Sequence, residues 1–242
     1  MKKSTFFTAL TVLVLIPATL YYGSQLRGKW HYLVSTLIIL ETMLPFFVSF
    51  ESRRPQAREL VTIAVMAALA VASRVAIPVP NFKPITGIIM LTGIAFGPQA
   101  GFMTGAVSAF ASNFFYSQGP WTPWQMMGYG MGGFLAGLLF YNRVGRLRQN
   151  APVFAAILAV FGFVTIVGVV GPLLDCSSLF LFSGHITVSY ALAVFASGFP
   201  INLTHGISCA VTMLLLGKPL LSKLERLKTK YGMMKSSYIV QK

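Results

Sequence analysis

The fold is decided by residues 84–117, which read PITGIIMLTGIAFGPQAGFMTGAVSAFASNFFYS and contain no charged side chain. A single membrane-spanning helix takes about 20 mainly apolar residues, so this run is too long for one span. Gly97 and Pro98 lie near its middle, and a proline interrupts a continuous helix. We therefore predict two membrane helices, 84–97 and 99–117, joined by a tight helical hairpin.

The rest of the chain has the same apolar character. Of its 242 residues, 55% are hydrophobic and only 10% are charged, with a mean hydropathy of +0.72. A soluble domain carries about a quarter charged residues, because its surface faces water. The composition therefore predicts an all-α polytopic membrane protein. Its eight predicted spans are residues 5–22, 30–50, 57–78, 84–97, 99–117, 121–141, 151–173 and 187–216.

The N-terminus imitates a secretory signal, since Lys2 and Lys3 precede an apolar run. No A-x-A cleavage site follows, and a second long run begins at Trp30, so we predict a retained first span. Cys176 and Cys209 have no metal-ligand spacing and fall in a predicted loop and a predicted span. We expect two unpaired thiols, with no metal site and no cofactor.

The basic residues predict the orientation in the membrane. With the N-terminus inside, 15 Lys and Arg residues fall on the inner side and three on the outer side, namely Arg27, Lys29 and Lys83. Lys and Arg accumulate in cytoplasmic loops, so both termini are predicted to be cytoplasmic. Within the basic tail, residues 220–230 are expected to lie along the inner membrane surface, attracted by anionic lipid or held by a partner.

The net charge of +14 does not by itself indicate a nucleic-acid partner. A nucleic-acid site needs basic residues concentrated on one face with interleaved aromatic residues. Here they occupy short loops and the two ends of the chain. We therefore predict the lipid bilayer, and no nucleic acid, as the environment that these charges serve.

Small residues recur at helical spacing in three spans. Membrane helices approach closely where small side chains face each other. Ala64, Ala68 and Ala72 lie on one face of the third span, which either packs inside the bundle or meets another membrane protein. The glycines are predicted to pack within the bundle; they are Gly97, Gly101 and Gly105, followed by Gly128, Gly132, Gly133 and Gly137.

Residues 113–129, NFFYSQGPWTPWQMMGY, turn between the fifth and sixth spans on the outer side without a charged residue. An aromatic belt at the lipid interface is one explanation, but a belt does not need amides between proline-braced turns. A largely uncharged pocket with a few amides suits a neutral organic ligand, and we predict such a pocket. Its amides are Asn113, Gln118 and Gln125, and its rings are Tyr116, Trp121, Trp124 and Tyr129.

Other polar residues lie near the same side. Arg74 is close to the outer end of the third span, where its guanidinium either extends to the interface or faces a ligand. A predicted outer loop, 172–185, contains Asp175 and is a candidate lid. Asn202 and His205 lie one helical turn apart in the eighth span, where a helix–helix hydrogen bond is expected.

We predict that the chain is not an enzyme. It contains no H-E-x-x-H, no G-x-S-x-G and no phosphate-binding G-x-x-x-x-G-K-[ST] motif. Its five carboxylates leave little for acid–base chemistry. ATP-driven work would need another subunit.

Residues 57–232 resemble the substrate-binding S-components of energy-coupling factor (ECF) vitamin transporters. The resemblance rests on the Ala64-x-x-x-Ala68-x-x-x-Ala72 stripe after a basic segment, and on six spans with a short second helix. It implies a six-helix core, which we place at 57–217, followed by a basic tail (218–242). The chain departs from the family pattern in its first 50 residues, which add a two-helix extension (1–56) before this core. It also implies that the alanine stripe contacts a transmembrane coupling subunit, which works with two cytoplasmic ATPase subunits in the plasma membrane.

The family resemblance further implies an outer ligand pocket closed by loops at 78–84, 117–121 and 172–186. The runs SQGPWTPWQ (117–125) and GFP (198–200) are most similar to the cobalamin-type branch, so a corrinoid is the predicted vitamin. Riboflavin, a pyridoxine-like compound and a queuosine precursor remain alternatives, as does a non-transporting membrane scaffold. The candidate ligand residues are Arg74, Phe82, Lys83, Asn113, Gln118, Trp121, Trp124, Gln125 and Tyr129.

Overall fold

The computed structural model describes residues 3–25, 31–53, 55–141, 143, 151–182 and 186–233, and these residues form helices and no strands. The all-α prediction is confirmed. Five helices, α1, α2, α3, α7 and α8, are long and apolar enough to cross a membrane, and α4 is a shorter apolar helix. The helices are α1 (3–25), α2 (His31–Ser52), α3 (Ala57–Ala76), α4 (Ile85–Phe96), α5 (Pro98–Tyr116), α6 (Thr122–Phe140), α7 (151–182) and α8 (Val188–Tyr231).

Helix α4 is the centre of the bundle. Every residue from Ile85 to Phe96 is buried, which suits a helix that is apolar all round. The chain then reverses at Gly97, whose φ of +97° is disfavoured for residues with a side chain. Pro98 occupies the first turn of α5, where its missing N–H costs nothing. The predicted hairpin is therefore confirmed.

Glycines allow α4, α5 and α6 to meet backbone to backbone. A Cβ at Gly93 or at Gly101 would overlap the carbonyl oxygen of Gly133, and one at Gly133 would overlap that of Gly101. A Cβ at Gly105 would likewise overlap the carbonyl of Tyr129. The glycine series packs within the bundle, as predicted.

The extension is attached to the core through α2. The rings of Phe46 and Phe102 stack with their centroids 4.1 Å apart, and Phe134 meets Phe46 edge-on at 5.1 Å. Helix α1 packs along α2, and most of its residues lie on the surface of the bundle. Helix α2 therefore joins α5 and α6, while α1 forms the periphery.

Two predicted boundaries were wrong. The span predicted for 151–173 continues as a helix to Phe182, so the loop predicted to begin at residue 172 is mostly helical and Asp175 is not part of a lid. A π-helical segment, Ile166–Val170, precedes Gly171 and absorbs the irregularity that Pro172 introduces. Residues 183–185 lie outside the described part of the chain.

Helix α8 is also longer than the predicted 187–216. It runs without a break through Pro200 and Pro219 to Tyr231, and Gly232 ends it in the left-handed conformation. The start of the basic tail is therefore an extension of a membrane helix, and residues 234–242 lie outside the described residues.

The contacts divide the bundle into two ends. At one end, the Lys228 ammonium donates to the Tyr141 hydroxyl at 3.0 Å and Arg53 donates to Gln99 at 3.1 Å. We call this the inner end, because the charge pattern predicts it to be cytoplasmic. Arg74 and Lys83 lie at the opposite end, called the outer end below.

Candidate ligand site at the outer end

Asn113 is the centre of a hydrogen-bonded group at the outer end. It lies on the last turn of α5 and is only 1% exposed. Its amide nitrogen donates to the hydroxyl of Thr122 at 3.0 Å and to the side-chain oxygen of Gln125 at 2.8 Å. Its oxygen accepts a 3.3 Å hydrogen bond from Arg74. One buried amide therefore joins α3, α5 and α6.

Arg74 is held on several sides. Its guanidinium donates to Ser112 as well as to Asn113. It lies 4.7 Å from the ring centre of Tyr116 and 5.9 Å from that of Tyr129, which allows cation–π attraction. The Tyr116 hydroxyl donates to the backbone oxygen of Arg74 at 2.9 Å. These contacts hold the guanidinium against side chains of α5 and α6, and its role toward a ligand stays a prediction.

The loop between α5 and α6 folds back onto the helices that it joins. Ser117 has a φ of +77°, an uncommon value for a residue with a side chain, and such strain often marks functional sites. After this turn, Gln118 donates to the backbone oxygen of Phe110 at 2.9 Å and accepts from Thr122 at 3.0 Å. Gln118 is thereby joined to Asn113 through one hydroxyl. We call the whole group the outer cluster; it comprises Arg74, Ser112, Asn113, Tyr116, Gln118, Thr122, Gln125 and Tyr129.

The remaining candidates lie around this cluster. Lys83 donates to the backbone oxygen of Ile77 and lies 5.8 Å from the ring centre of Tyr116, while Phe82 beside it is half-buried. The indole of Trp121 lies over Gly119, where a Cβ would overlap it. These residues stay predicted ligand contacts.

Trp124 lies apart from the outer cluster. It is 6% exposed and stacks on Phe180 with ring centres 5.7 Å apart. Its apolar neighbours include Met43 of the extension and Phe102. Consecutive residues point 100° apart on a helix, which separates Trp124 from Gln125. Among the described residues, Trp124 therefore packs in an apolar cluster. Its contact with a ligand stays a prediction.

A second polar group lies on α7 and α8. The Asn202 amide donates to the Asp175 carboxylate at 2.7 Å, which confirms a helix–helix hydrogen bond for Asn202. His205 lies one turn further along α8. The contact between Asp175 and Asn202 was not predicted from the sequence, because Asp175 was placed in a loop and not in a helix.

Sequence reasoning also omitted Ser112 and Thr122 from the site. Both are neighbours of predicted residues, Asn113 and Trp121, and both are buried hydroxyls with partners in the outer cluster. A small hydroxyl in an apolar helix is common, so only its proximity to Asn113 in the folded chain reveals its role.

The alanine stripe forms a separate surface. Ala64, Ala68 and Ala72 are all exposed on α3. They line an apolar groove of about 610 Å³ between α3 and α5, whose other wall includes Val107, Ala111 and Phe115. The described helices therefore do not cover these alanines, and their contact with another membrane protein stays a prediction.

Comparison with known protein families identifies the chain. A family model described as the S component of the ECF-type riboflavin transporter matches residues 55–222. Searches of curated proteins and of solved structures each returned no significant match. The match begins at α3 and ends within α8, so it covers the six-helix core and leaves out the extension. The predicted resemblance to S-components is confirmed, and the chain belongs to the ECF-type riboflavin transporter S-component family.

Proposed function

We propose that the chain captures a riboflavin-like vitamin at its outer end and passes it to a membrane coupling subunit for ATP-driven uptake through the cell membrane. The observation that carries this proposal is the outer cluster, in which the buried Asn113 bonds an arginine, a threonine hydroxyl and a glutamine amide and so joins three helices. Polar and ionisable side chains are costly inside a membrane, so a group of them within the spans indicates a functional site. The family match supports the transport role.

The chemistry of the outer cluster suits a flat heteroaromatic ring with carbonyl groups. Tyr116 and the guanidinium of Arg74 offer surfaces on which such a ring can stack. Among the described residues, no partner is found for the side-chain nitrogen of Gln125, which leaves a donor for a ligand carbonyl. An isoalloxazine has both the flat face and the carbonyl edge.

A corrinoid is the second candidate, favoured by the uncharged run 117–125 that wraps the outer cluster. Calorimetry with the purified chain against riboflavin and cobalamin separates the two. We expect saturable binding of riboflavin and none of cobalamin. Cobalamin binding alone would replace the flavin and keep the transport role. If a folded, monodisperse sample binds neither vitamin, the ligand proposal fails and the result favours the non-transporting scaffold.

A substitution at the centre of the outer cluster tests whether this group forms the ligand site. Asn113→Leu should weaken riboflavin binding by about tenfold or more, because Arg74, Thr122 and Gln125 each lose a partner and an unpaired buried group costs about 1–3 kcal/mol. Affinity by calorimetry and thermal unfolding in detergent are the measurements.

Gln99→Leu is the matched control for this substitution. It also replaces an amide on α5, but at the inner end, where Gln99 accepts from Arg53. Riboflavin affinity should stay at the wild-type value in this variant. Equal losses of affinity in both variants would contradict an outer ligand site.

We further propose that the groove beside the alanine stripe receives a helix of the coupling subunit. The groove is apolar and its floor consists of small side chains, which is the surface that close helix packing in lipid requires. A scaffold would also use such a groove, but it would have no need of the outer cluster. Uptake and ligand binding measured on the same variants separate the two roles.

A further inference from the structure

Asp175 is a carboxylate inside a helical span, and its partner in the described part of the chain is an amide. Among the described residues it forms no salt bridge, and its one hydrogen bond comes from Asn202 at 2.7 Å. A carboxylate at this position is costly unless donors or positive charges surround it. Asp175 is half-buried, and the described contacts engage one of its two oxygens, which leaves the other able to accept a hydrogen bond.

The two helices are built to hold this carboxylate in place. A Cβ at Gly198 would overlap the side-chain oxygens of Asp175, so the glycine gives the carboxylate room against the backbone of α8. The π-helical segment Ile166–Val170 lies less than two turns before Asp175. An added residue in such a segment rotates everything that follows, and π-helical segments are frequent at functional sites. Asp175 is thus fixed by specific local geometry.

Asp175 lies at the depth of the outer cluster. Its neighbour Leu174 faces Gly128, where a Cβ would be 3.5 Å from the leucine side chain, and Gly128 adjoins Tyr129. The contact between Leu174 and Gly128 therefore brings this part of α7 beside the end of α6 that carries Tyr129 of the outer cluster.

We infer that Asp175 is a specificity-determining residue of the ligand site, whose second oxygen accepts a hydrogen bond from a ring N–H of the vitamin. This inference rests on the proposed function and names the group that it recognises. In a riboflavin-like ligand the donor is the imide N–H between the two ring carbonyls. Asn202 orients the carboxylate, and its second N–H is placed to meet an adjacent carbonyl.

The test compares riboflavin with 3-methylriboflavin, in which a methyl group replaces the imide hydrogen. The purified full chain should bind the methylated compound about tenfold to a hundredfold more weakly, as expected for a lost hydrogen bond to a charged group. In Asp175→Ala the affinity for riboflavin should fall by a similar factor. The difference between the two flavins should then disappear.

Asp175→Asn is the second variant, to be used if Asp175→Ala does not fold. It keeps the shape of the side chain and the bond from Asn202, and it should also lose the discrimination between the two flavins. Glu51→Gln, which neutralises an exposed carboxylate at the inner end, should behave as wild type.

A purely structural role for Asp175 makes a different prediction. Loss of a clamp between α7 and α8 would weaken both flavins equally and preserve the wild-type preference, and that result would overturn the inference. A wild-type chain that binds both flavins equally would overturn it too, while leaving riboflavin capture intact. Absence of riboflavin binding to the folded wild type would remove the proposed ligand and this inference together.

Discussion

Ala68→Trp is expected to abolish vitamin uptake while the purified variant binds its ligand with unchanged affinity. Ala68 is exposed in the groove between α3 and α5 and is not one of the residues of the outer cluster. An indole there would occupy the space that a partner helix needs, but it would displace nothing inside the bundle. Uptake by cells that contain the whole transporter and calorimetry on the isolated chain provide the two measurements.

Leu69→Trp is the matched control for the groove. Leu69 adjoins Ala68, is 43% exposed and does not line the groove. The same indole on this neighbouring face should leave uptake near the wild-type rate. Should Ala68→Trp transport normally, the alanine stripe is a lipid-facing surface and the coupling subunit binds elsewhere.

Gly133→Ala is expected to destabilise the fold severely, although it adds a single methyl group. The new Cβ would overlap the backbone carbonyl of Gly101 and crowd Ile89, and a backbone cannot move aside as a flexible side chain can. Overpacking of a core typically costs about 1–3 kcal/mol, and we expect a loss at or above the upper end of that range. Thermal unfolding in detergent and the yield of monodisperse protein measure the effect.

Gly168→Ala provides the comparison for this prediction. A Cβ at Gly168 would have no atom within 4 Å, so this alanine should leave the thermal midpoint near that of the wild type. If the two variants are equally stable, then α5 and α6 do not pack through glycine backbones.

The apolar pattern was sufficient to predict most of the fold. Long runs and the Gly97–Pro98 break predicted the helix order, because lipid forces each spanning segment to satisfy its own backbone. The pattern failed after residue 173, where a loop was predicted but the helix continues to Phe182. A proline is tolerated in the first turn after a π-helical segment, and hydropathy carries no information about such a segment.

The candidate site was predictable in composition and less so in arrangement. Asn113, Gln118 and Gln125 were predicted as its amides, and the structure joins them through the hydroxyl of Thr122 and through direct bonds. Trp124 belongs to the same run, yet helical rotation turns it toward Phe180. The bond between Asp175 and Asn202 was not predicted, because it joins two helices and the sequence did not reveal that Asp175 is helical.

The positions of the tryptophans give the chain an optical reporter of its own. Of three tryptophans in the sequence, Trp121 and Trp124 lie at the start of α6, the helix that also carries Thr122 and Gln125 of the outer cluster. Tryptophan emission overlaps the absorption of a flavin, so a flavin held nearby would quench it by resonance energy transfer. A ligand held elsewhere on the molecule would quench it less. Intrinsic fluorescence of the unlabelled protein would therefore report occupancy of the outer end in real time, without any added dye.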